Sequence, residues 1–244
     1  MRLFLLAISV AIAAPMMAQT LVEAEVLTQV RSGYAWRGQT ISDGPVFQPS
    51  ASISFGGFAL DMWGNMNLDS SNDFGGMGSG RGRFTEWDTT LSYSTQLGNN
   101  SLNIGISHFD YPNTGYASTT EIFAKATGAG AVSPFLELNR DIDEIEGTYL
   151  KIGAEKSWDL ANGATVTGSV GVGFADRGYN NGYFGVDRPA FNDLEFNANY
   201  SIPLSSSSAL TFSANYQTLL DSDVRANVDR PSNASIGIGF SKSF

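Results

Sequence analysis

The sequence predicts an all-β chain that closes into a transmembrane, antiparallel up-and-down β-barrel of about twelve strands. Three observations carry this expectation. Apolar and polar residues alternate with a period of two from Val22 to the C-terminus, the pattern of strands with one greasy and one wet face. Short Gly/Asn turns alternate with longer loops, as in a barrel whose two ends differ; a soluble β-sandwich has no such need. The N-terminus reads as an export segment. Beyond it, no apolar run approaches the ~18 residues that a membrane-crossing helix requires.

Composition narrows the field. Charged residues make up 16 % of the 244 residues, aromatics 12 %, and glycines number 27; a soluble domain averages nearer ~25 % charged. A mean hydropathy of -0.08 excludes a helical membrane protein. With Cys 0, neither a disulfide framework nor a thiolate metal site exists. A formal charge of -10 argues against a nucleic-acid partner, because phosphates call for clustered Lys and Arg.

Residues 1–18 are expected to be a signal peptide, and residues 19–244 a single barrel domain. Arg2 supplies the positive n-region, Leu3 to Ala14 the apolar h-region, and Pro15-Met16-Met17-Ala18 the cleavage region. The first strand is expected over Val22 to Arg37, with Val22, Ala24, Val26, Val30, Tyr34 and Trp36 on the apolar face. Glu23, Glu25, Gln29, Arg31 and Arg37 lie on the other. Phe47 to Phe55 follows, then the Gly56-Gly57 turn and Phe58 to Leu68. A Gly-rich loop over Asp69 to Arg83 leads into a strand with Trp87, Thr89, Leu91 and Tyr93 on one face. Gly98-Asn99-Asn100 turns the chain back through Leu102, Ile104 and Ile106.

The second half repeats the pattern. Ile122, Ala124 and Ala126 oppose Glu121, Phe123 and Lys125; Leu136 and Leu138 oppose Glu137 and Asn139; Leu150, Ile152 and Ala154 oppose Lys151 and Glu155. Val166 to Phe174, Leu194 to Ile202, Leu210 to Tyr216 and Ala234 to Phe244 complete twelve strands. Thr119 to Leu138 is the least regular stretch, so ten and fourteen are the competing counts. Short turns are expected near 56, 98, 129, 161 and 205, and longer loops near 41, 76, 114, 143, 183 and 226. Two aromatic girdles are expected at the membrane interfaces: Tyr34, Trp36, Phe47, Trp87 and Tyr216 at the outer one, and Phe55, Phe58, Trp158, Tyr200 and Phe244 at the periplasmic one.

The last residues, Ile236-x-Ile238-x-Phe240-x-x-x-Phe244, end on an aromatic and resemble the C-terminal signature of outer-membrane barrels. That resemblance implies recognition of Phe244 by a barrel-assembly machinery. The segment Ser32-Gly33-Tyr34-Ala35-Trp36-Arg37-Gly38-Gln39-Thr40-Ile41-Ser42-Asp43-Gly44 resembles the opening of an uncharacterised family of bacterial outer-membrane proteins, porin-like in type. These carry an aromatic-Arg-Gly…Ser-Asp-Gly segment before an alternating strand. The likeness continues through Trp63-Gly64-Asn65 and fades beyond about residue 70. It implies a barrel in the cell outer membrane and carries over no catalytic residue.

The candidate site is the wet face. Glu23, Glu25, Asp61, Glu86, Asp88, Glu121, Glu137, Glu155, Asp193 and Glu195 stand there against Arg31, Arg37, Lys125 and Lys151. Facing lipid at mid-depth would cost ~2–4 kcal/mol for each Lys or Arg, so this face is expected to line a pore. Twelve strands ~4.8 Å apart, tilted ~40°, enclose a backbone radius on the order of 12 Å, leaving a narrow aqueous path or none. The favoured function is a channel for small hydrophilic solutes. Cations are preferred, because carboxylate rings concentrate them, and Arg31 and Arg37 are expected to form a constriction opposite Glu86 and Asp88.

Two alternatives stand beside it. One is a closed, salt-bridged structural barrel. The other is an outer-membrane lipid hydrolase built on His108, the single histidine, on the lipid face with Thr89 and Leu91 nearby; no Ser-containing motif surrounds it, and Ser107 points inward. No cofactor is implied, since the glycines of Gly75 to Arg83 lack a P-loop ending. Asp69, Asp73, Asp141, Asp143, Glu144 and Glu146 offer oxygen ligands without EF-hand spacing, and are read as solvated loops. The expected partners are outer-membrane lipid and lipopolysaccharide, whose phosphates could share divalent ions with these loops.

Overall fold

The computed structural model describes residues 22–69 and 80–244. The signal peptide expected over residues 1–18, and Asp73, lie outside the described residues. The wall is a closed antiparallel barrel of twelve strands, as expected from the alternation. In chain order they are β1 (Glu23–Arg31), β4 (Val46–Phe55), β5 (Phe58–Asn67), β6 (Phe84–Leu97), β7 (Asn100–Asp110), β8 (Thr119–Thr127), β9 (Ser133–Asp141), β10 (Thr148–Asp159), β11 (Thr165–Ala175), β12 (Ala190–Ser205), β13 (Ser208–Leu219) and β14 (Ser232–Ser243). A separate two-stranded sheet, β2 (Tyr34–Trp36) with β3 (Gln39–Ser42), stands apart from the wall.

Closure occurs between first and last wall strands. Glu25 pairs with Ser243 and Arg31 with Gly237, and the Phe244 amide donates to the Ala24 carbonyl at 2.9 Å. Every wall strand therefore has two neighbours, which removes the unpaired edges that a bilayer would penalise. Pairing register sorts the side chains. Val26, Ile53, Leu60, Met62, Leu91, Ile104, Ile152 and Ile238 are exposed on the outer surface. Leaving each in water would forfeit roughly 1.5–3 kcal/mol. A whole belt of them is compatible only with an apolar solvent.

The two ends differ, as the turn lengths predict. The end with the short turns also holds Glu23 and Phe244 and is called the turn end; the other is the loop end. Gly56 and Gly57 show how a short turn is made. Their φ angles of 60° and 87° are those of a two-residue hairpin turn matched to strand twist. A Cβ on Gly57 would lie 2.8 Å from the Ser94 carbonyl oxygen.

Two expectations need correction. The first wall strand ends at Arg31 rather than Arg37; the chain then leaves the wall, forms the β2–β3 hairpin inside the loop end and rejoins the wall at Val46. Alternation does not reveal this, because a hairpin strand has the same period as a wall strand. Tyr34 and Trp36 accordingly do not belong to an interface girdle. They sit within the barrel, where Tyr34 packs 5.4 Å from Trp63 and Trp36 packs 5.5 Å from Tyr183. Phe47, Trp87 and Tyr216, by contrast, share the outer surface, paired through Val30, Gly64 and Phe196.

Two stretches read as plain loops contain helices, α1 (Arg177–Phe184) and α2 (Ser222–Ala226). Asp176 caps α1 by accepting from the Tyr179 amide, and Gly185 ends it in the left-handed conformation at φ 67°. Asp221 caps α2 through the amides of Asp223 and Val224.

Candidate functional site: the barrel interior

The hairpin is built around its tip. Arg37 and Gly38 both have positive φ, 45° and 82°, which turns the chain back within two residues. Its base is held to β14 by a 2.8 Å bond from the Ser32 amide to the Ile236 carbonyl and by the Ile236 amide donating to Ser32 Oγ at 3.0 Å. From this anchorage beside β1 the tip crosses the interior. The Arg37 guanidinium donates to both Glu121 carboxylate oxygens on β8, at 2.7 and 2.8 Å. The same guanidinium lies 4.2 Å over Trp36 and 4.6 Å over Tyr149 of β10. The Gly38 amide donates to Gln217 Oε1 on β13 at 2.8 Å, and Gln217 returns a 3.2 Å bond to the Ala35 carbonyl.

Gly38 is required twice over. A Cβ there would lie 2.5 Å from Leu219 Cδ2 and 2.9 Å from Asp193 Cβ, and φ 82° disfavours any other residue.

The expected constriction therefore takes a different form. Arg37 faces Glu121, not Glu86 and Asp88, because it sits on a tip that projects across the lumen rather than on the wall. Arg31 stays on β1 and donates to Ser213 Oγ at 3.3 Å and Ser235 Oγ at 2.8 Å, also away from those acids.

The remaining interior cations are held by acids as well. Lys151 pairs with Glu195, which also accepts from Asn197 at 2.8 Å and Asn215 at 3.2 Å. Lys125 stands 3.9 Å from Glu137 and 4.9 Å over the Phe135 ring. Tyr149 donates to Asp193 at 2.8 Å. Among the described residues, Glu23, Glu25, Asp61, Glu86, Asp88 and Glu155 enter no ion pair. One oxygen of Asp88 is buried with no hydrogen-bond partner among the described residues.

The register places all of these residues on the inner side of the wall. Glu23 and Glu25 oppose Ser54 and Ser52, Asp61 opposes Thr90, and Glu155 opposes Ser169. Glu86 and Asp88 share a face with Asn65 and Trp63 across β5.

The hairpin divides the space. On the turn-end side, Arg37 and Glu121 cover a cavity of ≈ 220 Å³ lined by Thr90, Ser107, Phe123, Lys125 and Glu137. On the loop-end side lies a cavity of ≈ 420 Å³ between the hairpin, the loop before β8 and α1. Beside it a hydrophobic cluster fills the loop end: Tyr149, Tyr179, Phe184, Val186, Leu219 and Val224 are all buried together. Arg188 locks the two helical loops, reaching Asp221 at 2.8 Å and Asp223 at 2.6 Å.

These contacts act on the caps. Partial burial raises the Asp221 pKa, but the Arg188 bond and the α2 amides outweigh it and hold the carboxyl below its ordinary value. At Asp176 burial again pushes the carboxyl up, and the hydrogen bonds from Thr148 and the Tyr179 amide, with the Arg140 charge, together outweigh it and hold the carboxyl low.

Sequence reasoning missed Tyr149, Tyr179 and Gln217 as partners of the hairpin; Arg37-Gly38, a turn-forming pair at the end of an expected strand, was the available signal. The loop acids do other work. Asp141 Oδ1 accepts from the amides of Asp143, Ile145 and Glu146, and its Oδ2 accepts from Thr119 at 2.6 Å, so this carboxylate shapes its loop. Among the described residues no three candidate ligand groups converge. His108 lies on the outer face, its Nδ1 3.0 Å from Thr120 Oγ1 and its Nε2 3.5 Å from Asp110.

Solved structures resemble this barrel. KdgM porin in complex with disordered oligogalacturonate matches with a TM-score of 0.55 at 12 % identity, over 91 % of this chain and 99 % of that one. NanC porin matches with a TM-score of 0.54 at 13 % identity, over 90 % of this chain and 98 % of that one. At such identities the likeness is one of fold: the chain has a barrel fold like that of these porins. No family model matches the chain, and no curated protein matches it.

Proposed function

We propose that this chain is an outer-membrane channel for small hydrophilic solutes, with preference for cations. The observation that carries the reading is the sidedness of a closed barrel: apolar side chains outside, and an inner face on which, among the described residues, the acids outside any ion pair outnumber the one such cation, Arg31. The porin fold of KdgM and NanC supports the coarser part, a channel. The finer part rests on charge alone. KdgM was solved with an anionic oligosaccharide, and the acidic interior here does not favour carrying that ligand over. In this reading Arg37 narrows the path, the loop end faces lipopolysaccharide, and the exposed Phe244 serves barrel assembly.

A second reading is favoured by the filled loop end. The hairpin, α1 and α2 form a core there like that of a soluble protein, which suits a closed structural barrel. Planar-bilayer conductance of the refolded mature chain separates the two. Stable single-channel steps are expected, cation-selective in a salt gradient and larger in Arg37→Ala. Silence of both proteins across voltage would leave the closed barrel. Anion selectivity would remove the cation preference and keep the channel. Phospholipid hydrolysis that disappears in His108→Ala would instead favour an enzyme.

A further inference from the structure

The loop-end cavity has walls unlike the rest of the interior. Tyr34 and Trp36 come from the hairpin, Tyr111 and Tyr116 from the loop before β8, and Tyr183 from α1. The rings meet at steep angles, 69° between Trp36 and Tyr183 and 70° between Tyr111 and Tyr116, so they form corners rather than a stack. Corners of this kind can surround a small ligand. Glu86 and Glu144 lie on the same walls. Glu86 is 6 % exposed, and no described Lys or Arg pairs with it. Gln39, also lining the cavity, holds its side-chain nitrogen buried with no hydrogen-bond partner among the described residues.

We infer that this cavity binds a small organic cation, an ammonium compound that also carries an acceptor oxygen. Aromatic faces attract cations through the ring quadrupole, and most strongly when the cation is weakly hydrated, as alkylated ammonium groups are. Arg37 stacked on Trp36 already shows the interaction at one wall of the cavity. Glu86, in its carboxylate form, would supply the opposite charge from a buried position. The Gln39 nitrogen would donate to the ligand's hydroxyl or carboxylate oxygen. A hydrated metal ion fits less well, since it needs several converging oxygens and the two carboxylates do not cluster with a third. The volume of ≈ 420 Å³ lies within the ~300–1,000 Å³ usual for small-molecule sites.

The inference deepens the channel reading and rests on it for the site's role as the way into the lumen. The test measures binding apart from conduction. Choline is titrated calorimetrically into the detergent-solubilised full barrel, with tetramethylammonium and glycerol as comparison probes. Saturable choline binding is expected, with tetramethylammonium weaker and glycerol silent. Glu86→Gln should weaken choline about tenfold or more, and Tyr116→Ala, at an exposed ring, about threefold. Heat-modified gel migration checks that each variant is a folded barrel.

No saturable choline binding by the wild type overturns the inference, as does unchanged affinity in a folded Glu86→Gln barrel, or glycerol competing as well as choline. Conductance without choline binding sinks the site and spares the channel. Choline binding by a barrel that never conducts sinks the channel and spares the site.

Discussion

The turn end and the loop end of this barrel are made by different physics. At the turn end the strands run to short Gly turns, and Glu23, Glu25 and a row of serines surround an open space of ≈ 440 Å³. Backbone pairing there is supplemented by short-range side-chain contacts such as Phe58 on Tyr93 and Ser205 with Ser208. At the loop end, a hairpin and two helical loops converge on buried Tyr149, Tyr179 and Leu219, tied by ion pairs that span many residues. The same wall thus carries a simple rim at one end and a globular core at the other. The lesson is that lumen contents are specified separately from the wall. A variant that strikes the core should loosen one end and leave the barrel closed.

The largest expected effect follows from Gly38→Val. The new side chain would overlap Leu219 and Asp193 and demand a positive φ from a β-branched residue. If the tip withdraws, Glu121 loses its bidentate partner while still buried, a loss on the order of 3–5 kcal/mol. The hairpin should then become sensitive to protease and exchange its amides quickly. The turn end and the closed barrel should persist. Equal protection of the hairpin in variant and parent would show that the tip does not hold it. Collapse of the entire barrel would show that the two ends are one cooperative unit.

The division between the ends also explains what the sequence made legible. Twelve wall strands could be counted because each turn carries its own local chemistry: Gly56-Gly57, Gly98-Asn99 and Asn162-Gly163. The polar face could be grouped because parity is local too, which put Lys125, Glu137, Lys151, Asp193 and Glu195 together on one side. Pairings across the lumen were not legible. Arg37 and Glu121 lie 84 residues apart, and which strand the tip reaches depends on barrel girth and on the hairpin leaving the wall. Alternation of period two is blind to that departure. The helices were missed for a related reason: α1 spans 8 residues, too few for a helical period to stand out, although Asp176 and Gly185 mark its two caps.

A smaller effect is expected from pH, again at one end. The carboxyls of Asp176 and Asp221 have folded pKa values below their ordinary ones. An unfolded Asp titrates near ~3.9. For a depressed acid, the stabilising contribution is complete above that value. It disappears as pH falls through the lower, folded value. The helical loops should therefore be tight at pH 5 and above, and loosen only in strong acid. Exchange of the Tyr179 and Val224 amides, which these carboxylates accept from, reports it. Asp221→Ala should abolish the acid dependence at Val224 and cost about 1 kcal/mol at neutral pH, as other helix caps do. Loosening between pH 6 and 8 would contradict the assignment.

The most local effect belongs to the turn end, where two glycines make a controlled pair. Gly98 has φ 65° and open space where a Cβ would go, whereas Gly57 has φ 87° and a carbonyl oxygen 2.8 Å from that point. Gly98→Ala meets only the left-handed backbone penalty, about 1 kcal/mol. Gly57→Ala meets that penalty and a contact with rigid backbone that cannot step aside. Unfolding of the two variants in urea with lipid vesicles should therefore order them parent, Gly98→Ala, Gly57→Ala, with the loop-end amides equally protected in all three. If either change loosens the hairpin as well, the turn end is not the independent rim that its short connections imply.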